Sequence, residues 1–128
     1  MDDYRVNGES ILVVDDVAEQ REIASTVLSG LGYRVFTVSS GEDAEDFLQT
    51  NTVDLVVLDM IMDPEIDGLE TYKRIIEIHP DQKAAIASGF AETERVKEAQ
   101  QLGAGAYVKK PYTLEKIGMA VKKELDGQ

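Results

Sequence analysis

Five short apolar runs, each followed by a stretch of helical periodicity, constrain this chain more than any other feature. The runs read as strands at Ser10–Val14, Arg34–Val38, Leu55–Leu58, Ala84–Ala87 and Ala106–Val108. Most are rich in Val, Ile, Leu or Ala with little alternation, the pattern of strands covered on both faces. Between them Ile23, Val27 and Leu31 recur at helical spacing, as do Ala44, Phe47 and Leu48, then Leu69, Tyr72, Ile75 and Ile76. A more polar fourth helix is carried by Val96, Ala99 and Leu102, and a fifth by Leu114, Ile117, Val121 and Leu125. Five strand–helix units in this order predict an α/β fold, a parallel sheet sandwiched between helices with right-handed crossovers. Ligands of such sheets bind beyond the carboxyl ends of the strands, where strand order reverses.

Local punctuation agrees with these units. Asp16 with Glu19, Ser40 with Asp43, and Asp67 with Glu70 each pair a capping side chain with an acid three residues on, as at helix starts. Gly32 and Gly103 follow helix ends, and Pro80 closes the third helix. The single histidine, His79, falls just before that proline, where an interaction with the helix C-terminus is expected. Residues 1–9 read as a lead-in and 10–128 as one domain. A chain of 128 residues suits one domain that buries roughly two-thirds of its unfolded surface.

Composition removes several classes of function. The net charge is −12, and residues 1–70 carry −14 of it against +2 for residues 71–128. Such a chain repels phosphate backbones and anionic lipid, so neither nucleic acid nor membrane is expected as a direct partner. The absence of cysteine excludes disulfides, thiolate zinc sites and a thiol nucleophile. Runs such as Ile11–Val14 and Leu55–Leu58 fall far short of a membrane span, and no signal peptide opens the sequence. A cytoplasmic location is the expectation.

The strand ends bring the chemistry. Asp15 and Asp16 follow the first strand, Asp59 the third, Ser88 the fourth and Lys110 the fifth. One acid at a strand end is commonplace, and Asp16 has an ordinary use as a helix cap. Three carboxylates within about 5 Å are different, since each pair repels by roughly 3 kcal/mol at an effective dielectric near 20. Such a group persists only with compensating protons, cationic side chains or a metal ion. An all-oxygen donor set favours Mg²⁺ or Mn²⁺. A divalent ion, a lysine and a hydroxyl around one carboxylate make a site suited to accepting a phosphoryl group.

The order and spacing of these residues resemble the response-regulator receiver domain of two-component signalling, over about Ser10 to Leu125. The likeness rests on Ile11-Leu12-Val13-Val14-Asp15-Asp16, Val56-Val57-Leu58-Asp59-Met60, Asp67-Gly68-Leu69-Glu70, Ala87-Ser88-Gly89 and Gly105-Ala106-Tyr107-Val108-Lys109-Lys110-Pro111-Tyr112. It implies a doubly wound (βα)5 flavodoxin-like sandwich with strand order 2-1-3-4-5. By resemblance Asp59 is the phosphorylated aspartate, and Asp15 and Asp16 organise Mg²⁺ together with Asp59 and the Met60 carbonyl. Ser88 and Lys110 contact the phosphoryl group; Ser88 and Tyr107 form the switch. Lys110 rather than Lys109 is the match because it precedes Pro111. The implied partners are a sensor histidine kinase or histidine phosphotransfer protein, a downstream protein or output domain, and a second copy on activation. The implied role is regulatory rather than enzymatic.

Two features depart from the commonest pattern of that family. The stretch from Asp59 to Asp67-Gly68 is one residue longer than usual, with Asp63 as the apparent insertion. Ile61, two positions after Asp59, is apolar and cannot hydrogen-bond an attacking water. Slower self-dephosphorylation is therefore expected, and Ile61→Asn should speed decay of the phosphorylated protein; an unchanged decay rate would refute this. A haloacid-dehalogenase-like phosphatase fits less well, because it needs a second acid where Ile61 stands. A flavin carrier of the same fold needs amides and hydroxyls where the first loop is acidic. A degenerate receiver serving only as a scaffold would not need the full five-residue set.

Overall fold

A computed structural model describes residues 9–59, 68–88, 94–105, 107–109 and 114–125. Two of the interior strands are β1 (Ser10–Val14) and β3 (Leu55–Asp59), and every residue in both is buried. Apolar residues on both sides of each strand require cover on both faces, and parallel pairing supplies it through crossover helices. Chain order gives β1, α1 (Ala18–Gly30), β2 (Arg34–Val38), α2 (Gly41–Thr50), β3, α3 (Gly68–Ile78), β4 (Ala84–Ser88), α4 (Glu94–Gln101), β5 (Tyr107–Lys109) and α5 (Leu114–Leu125). All strand pairs are parallel, in the order β2-β1-β3-β4-β5.

The strand period of two divides the core into two layers. Leu12, Val14, Val56, Leu58 and Ile86 face Ala44 and Leu48 of α2, Leu69, Tyr72 and Ile75 of α3, and Ala99 of α4. Ile11, Val13, Leu55, Val57 and Ala87 pack with Ala24 and Leu28 of α1 and Val121 of α5. By the same alternation, Asp15 and Asp59 continue the row that faces α1 and α5. Gly103, at φ 125°, ends the turn after α4; a Cβ there would lie 2.9 Å from the Tyr72 hydroxyl. Left-handed backbone and tight packing together require glycine.

β2 is a sheet edge, as the implied strand order has it, and Phe36 is 40% exposed, resting against Phe47 at 5.4 Å between ring centroids. Several expectations are corrected. The apolar stripe of α1 is offset by one residue. Ala24 and Leu28 are buried, Val27 and Leu31 pack at the margin, and Ile23 is exposed. Leu102 lies in the turn beyond α4 and is exposed, so Ala99 anchors that helix from the described part of its stripe. The His79 ring reaches another helix: its Nε2 lies 2.8 Å from the Leu48 carbonyl in the last turn of α2, joining the ends of α2 and α3. Ser40 caps α2 as expected, its Oγ accepting the Asp43 N–H at 3.0 Å.

Arg74 of α3 ties to Glu45 of α2 at 3.3 Å and to Glu70 one turn back at 3.4 Å. Hydrogen bonds to Glu45 first and Glu70 second raise its pKa further above the ordinary guanidinium value. These are solvent-facing pairs and add little net stability.

Candidate functional site

Register sets the site. Val14 of β1 pairs with Leu58 of β3, so the next residues, Asp15 and Asp59, emerge side by side from neighbouring central strands. Here the chain from β1 returns through β2 on one side and β3 lies on the other, the switch point of a doubly wound sheet. β3 runs one residue further than its apolar run, making Asp59 its last residue; β4 likewise ends on Ser88. Asp59 pairs with Ala87, and Ser88 with Lys109, so the ends of β3, β4 and β5 share one edge.

Asp15, Asp16 and Asp59 each offer a carboxylate oxygen within 4.8 Å of the other two. Asp15 is fully buried and Asp59 is 3% exposed, whereas Asp16 is open to solvent. Two buried carboxylates and one exposed one form a hard, all-oxygen donor set with a route to water, which fits Mg²⁺ or Mn²⁺. The cluster can therefore hold a metal ion.

The loop that carries two of these acids is built differently from the sequence expectation. Asp16 is not the cap of α1; Val17 takes that position with extended backbone and no side-chain cap bond. The acid that serves the helix start is Asp15, whose Oδ1 accepts the Val17 N–H at 2.9 Å. Its aspartate side chain folds back over its own turn, and Asp16 is left as the solvent-facing member of the cluster. Arg21, which the sequence reading did not single out, donates from Nη1 to the Asp15 carbonyl at 2.7 Å. A lone arginine soon after an acid pair in the acid-rich half was the available signal.

Among the other expected site residues, Met60, Ile61, Asp63, Asp67, Lys110 and Pro111 lie outside the described residues. Ser88 and Tyr107 are placed by their backbones, at the end of β4 and the start of β5, and their side chains lie outside the described ones. Among the described residues, no helix is long and apolar enough to cross a membrane.

A sequence profile of the response regulator receiver domain matches residues 11–122. The chain belongs to that family. Over 118 residues this receiver is 35% identical to sporulation initiation phosphotransferase F of Bacillus subtilis, spanning 92% of this chain and 94% of that protein. It is 29% identical to the chemotaxis protein CheY of Thermotoga maritima, spanning 91% and 97%. The transcriptional regulatory protein ZraR of Salmonella typhimurium is 35% identical over 115 residues, and there the receiver matches 26% of a longer protein. A CheY-like receiver domain from Methanospirillum hungatei shares the fold, with a TM-score of 0.86 over 93% of this chain and 94% of that one, at 24% identity. Receiver domains are regulatory signalling modules, and the acidic cluster lies where a receiver's phosphoacceptor site belongs.

Proposed function

We propose that this receiver is a phosphorylation switch in which Asp59 accepts a phosphoryl group from a partner's phosphohistidine. The observation that carries this reading is the gathering of Asp15, Asp16 and buried Asp59 within 4.8 Å at the sheet's switch point. The name of the Bacillus relative, a phosphotransferase, points the same way. Asp15, Asp16, Asp59 and the Met60 carbonyl would hold Mg²⁺, which when bound neutralises charge on the phosphoryl oxygens.

The Asp59 carboxylate attacks phosphorus in line, the phosphorus–nitrogen bond to the donor imidazole breaks, and the imidazole leaves with a proton. Lys110 pairs with the transferred group and Ser88 hydrogen-bonds it. As Ser88 moves, Tyr107 turns inward and alters the surface of α4, β5 and α5. Inverting a population from 1:99 to 99:1 requires about 5.5 kcal/mol, and a new charge with several new partners is suited to supply it. The donor is a sensor histidine kinase or histidine phosphotransfer protein. The changed face engages a downstream protein, an output domain or a second copy. The receiver unit is residues 10–128 after a lead-in of 1–9, acts in the cytoplasm, and touches neither nucleic acid nor membrane directly.

Incubation with Mg²⁺ and acetyl phosphate or phosphoramidate tests this. One phosphoryl adduct by intact mass, lost in Asp59→Asn, is the expected result. No adduct would favour a scaffold, and steady phosphate release from many substrates a phosphatase.

A further inference from the structure

Arg21 plays no part in the chemistry above, yet it is bonded to the centre of the site. Residues 9–59 contain two bases, Arg21 and Arg34, and Arg34 begins β2 at the opposite sheet edge, in register with Ser10. Arg21 therefore contributes the basic side chain of this segment at the carboxyl edge. Its backbone N–H donates to the Val17 carbonyl at 3.1 Å, and its half-buried guanidinium reaches back past the helix start to the Asp15 carbonyl at 2.7 Å.

Asp15 is consequently held by at least three contacts. Its N–H donates to the Val38 carbonyl at 3.2 Å, its Oδ1 accepts from the Val17 N–H at 2.9 Å, and its carbonyl accepts from Arg21. Backbone donors and acceptors complete the first two contacts. The third is charge-assisted, comes from a side chain six residues away, and can be removed without touching any carboxylate.

We propose that Arg21 is a positioning residue of the phosphoacceptor site. It clamps the Asp15 carbonyl, and so holds the Asp15 carboxylate in the orientation that a divalent cation requires. The proposal rests on the reading of the acidic cluster as an Mg²⁺ site.

Two roles for Arg21 predict opposite signs. As a mere positive charge beside the acids it would repel Mg²⁺, and its removal would tighten binding. As a clamp it orders the turn before the ion arrives, and its removal loosens binding because that order must then be created on binding. Groups that orient a metal ligand from behind commonly matter by about 10–100-fold in affinity. Here the contact is to the ligand's backbone, so a loss of about tenfold is expected.

The test compares wild type, Arg21→Gln and Arg21→Lys in the full chain. Mg²⁺ affinity is measured by calorimetry, thermal unfolding is followed in chelator, and amide exchange is read at Val17. Arg21→Gln should weaken Mg²⁺ binding about tenfold and speed exchange at Val17. Arg21→Lys, which keeps the charge with a less fitted donor, should recover part of the affinity. Unchanged or tighter Mg²⁺ binding by Arg21→Gln would overturn the proposal. Should that variant not fold, weaker Mg²⁺ binding by Arg21→Lys supports the clamp and wild-type binding overturns it. A wild-type chain that binds no Mg²⁺ would overturn the metal-site reading itself, a failure distinct from any result with the variants.

Discussion

The two ends of β1 and β3 carry aspartates in opposite circumstances. At the amino end, Asp54 is exposed, and its Oδ2 accepts from the Ser10 N–H at 2.8 Å and the Ser10 Oγ at 3.2 Å. Its own N–H returns a bond to the Ser10 carbonyl at 2.9 Å, so the pair locks the start of β1 to the start of β3. Beside it, an open groove of about 530 Å³ is lined by acids and by Lys83 and His79, a mixture of signs. At the carboxyl end, Asp15 and Asp59 are buried and Asp16 joins them within 4.8 Å. An exposed acid matched to donors stabilises; acids gathered within reach of one another at a buried strand edge can hold a cation. The same residue type thus has two physical meanings on two edges of one sheet.

Substitutions at the two ends should separate those meanings. The widest contrast is between Asp59→Asn, which should abolish the phosphoryl adduct, and Asp54→Asn, which should leave it intact by mass. Next, Asp15→Asn should weaken Mg²⁺ binding tenfold or more, by analogy with the loss of any anionic ligand to a hard cation. It should also stabilise the metal-free fold by about 1–3 kcal/mol, because one buried repulsion is relieved while Oδ1 can still accept the Val17 N–H. Denaturant unfolding in chelator checks this, and a destabilised variant would mean that the cluster carries no stored repulsion. Smallest is Asp54→Ala, which should cost about 1–2 kcal/mol of stability with Mg²⁺ affinity unchanged.

Much of this was legible in residue order. β1 and β2 begin and end where the sequence pattern places them, because strand extent follows local residue type. The acidic site followed from the rule that strands present their carboxyl ends at the switch point, which needs no long-range information. What stayed hidden depended on neighbours. Apolar content alone does not distinguish edge strand β2 from central β1; pairing partners do. The one-residue offset that exposes Ile23 and buries Ala24 is set by which side of α1 packs with Val13, Val57 and Val121. His79 bridges to Leu48, 31 residues away, a contact invisible to local helix rules. Asp16 looked like a helix cap because its spacing to Glu19 was right, but Asp15 took the bond to the turn and Val17 the cap position. The Arg21 clamp depends on that same turn, so the sequence held the residue without its purpose.

The central claim is that the acid at the end of β3 is the phosphoryl acceptor. Its most direct test is to phosphorylate the full chain with phosphoramidate and Mg²⁺, reduce the acyl phosphate with borohydride, and map the modified residue by peptide mass. Homoserine at position 59, and nowhere else, is the result predicted here. Homoserine at position 15, 16 or 54, or no modified residue in a chain that binds Mg²⁺, would contradict the account.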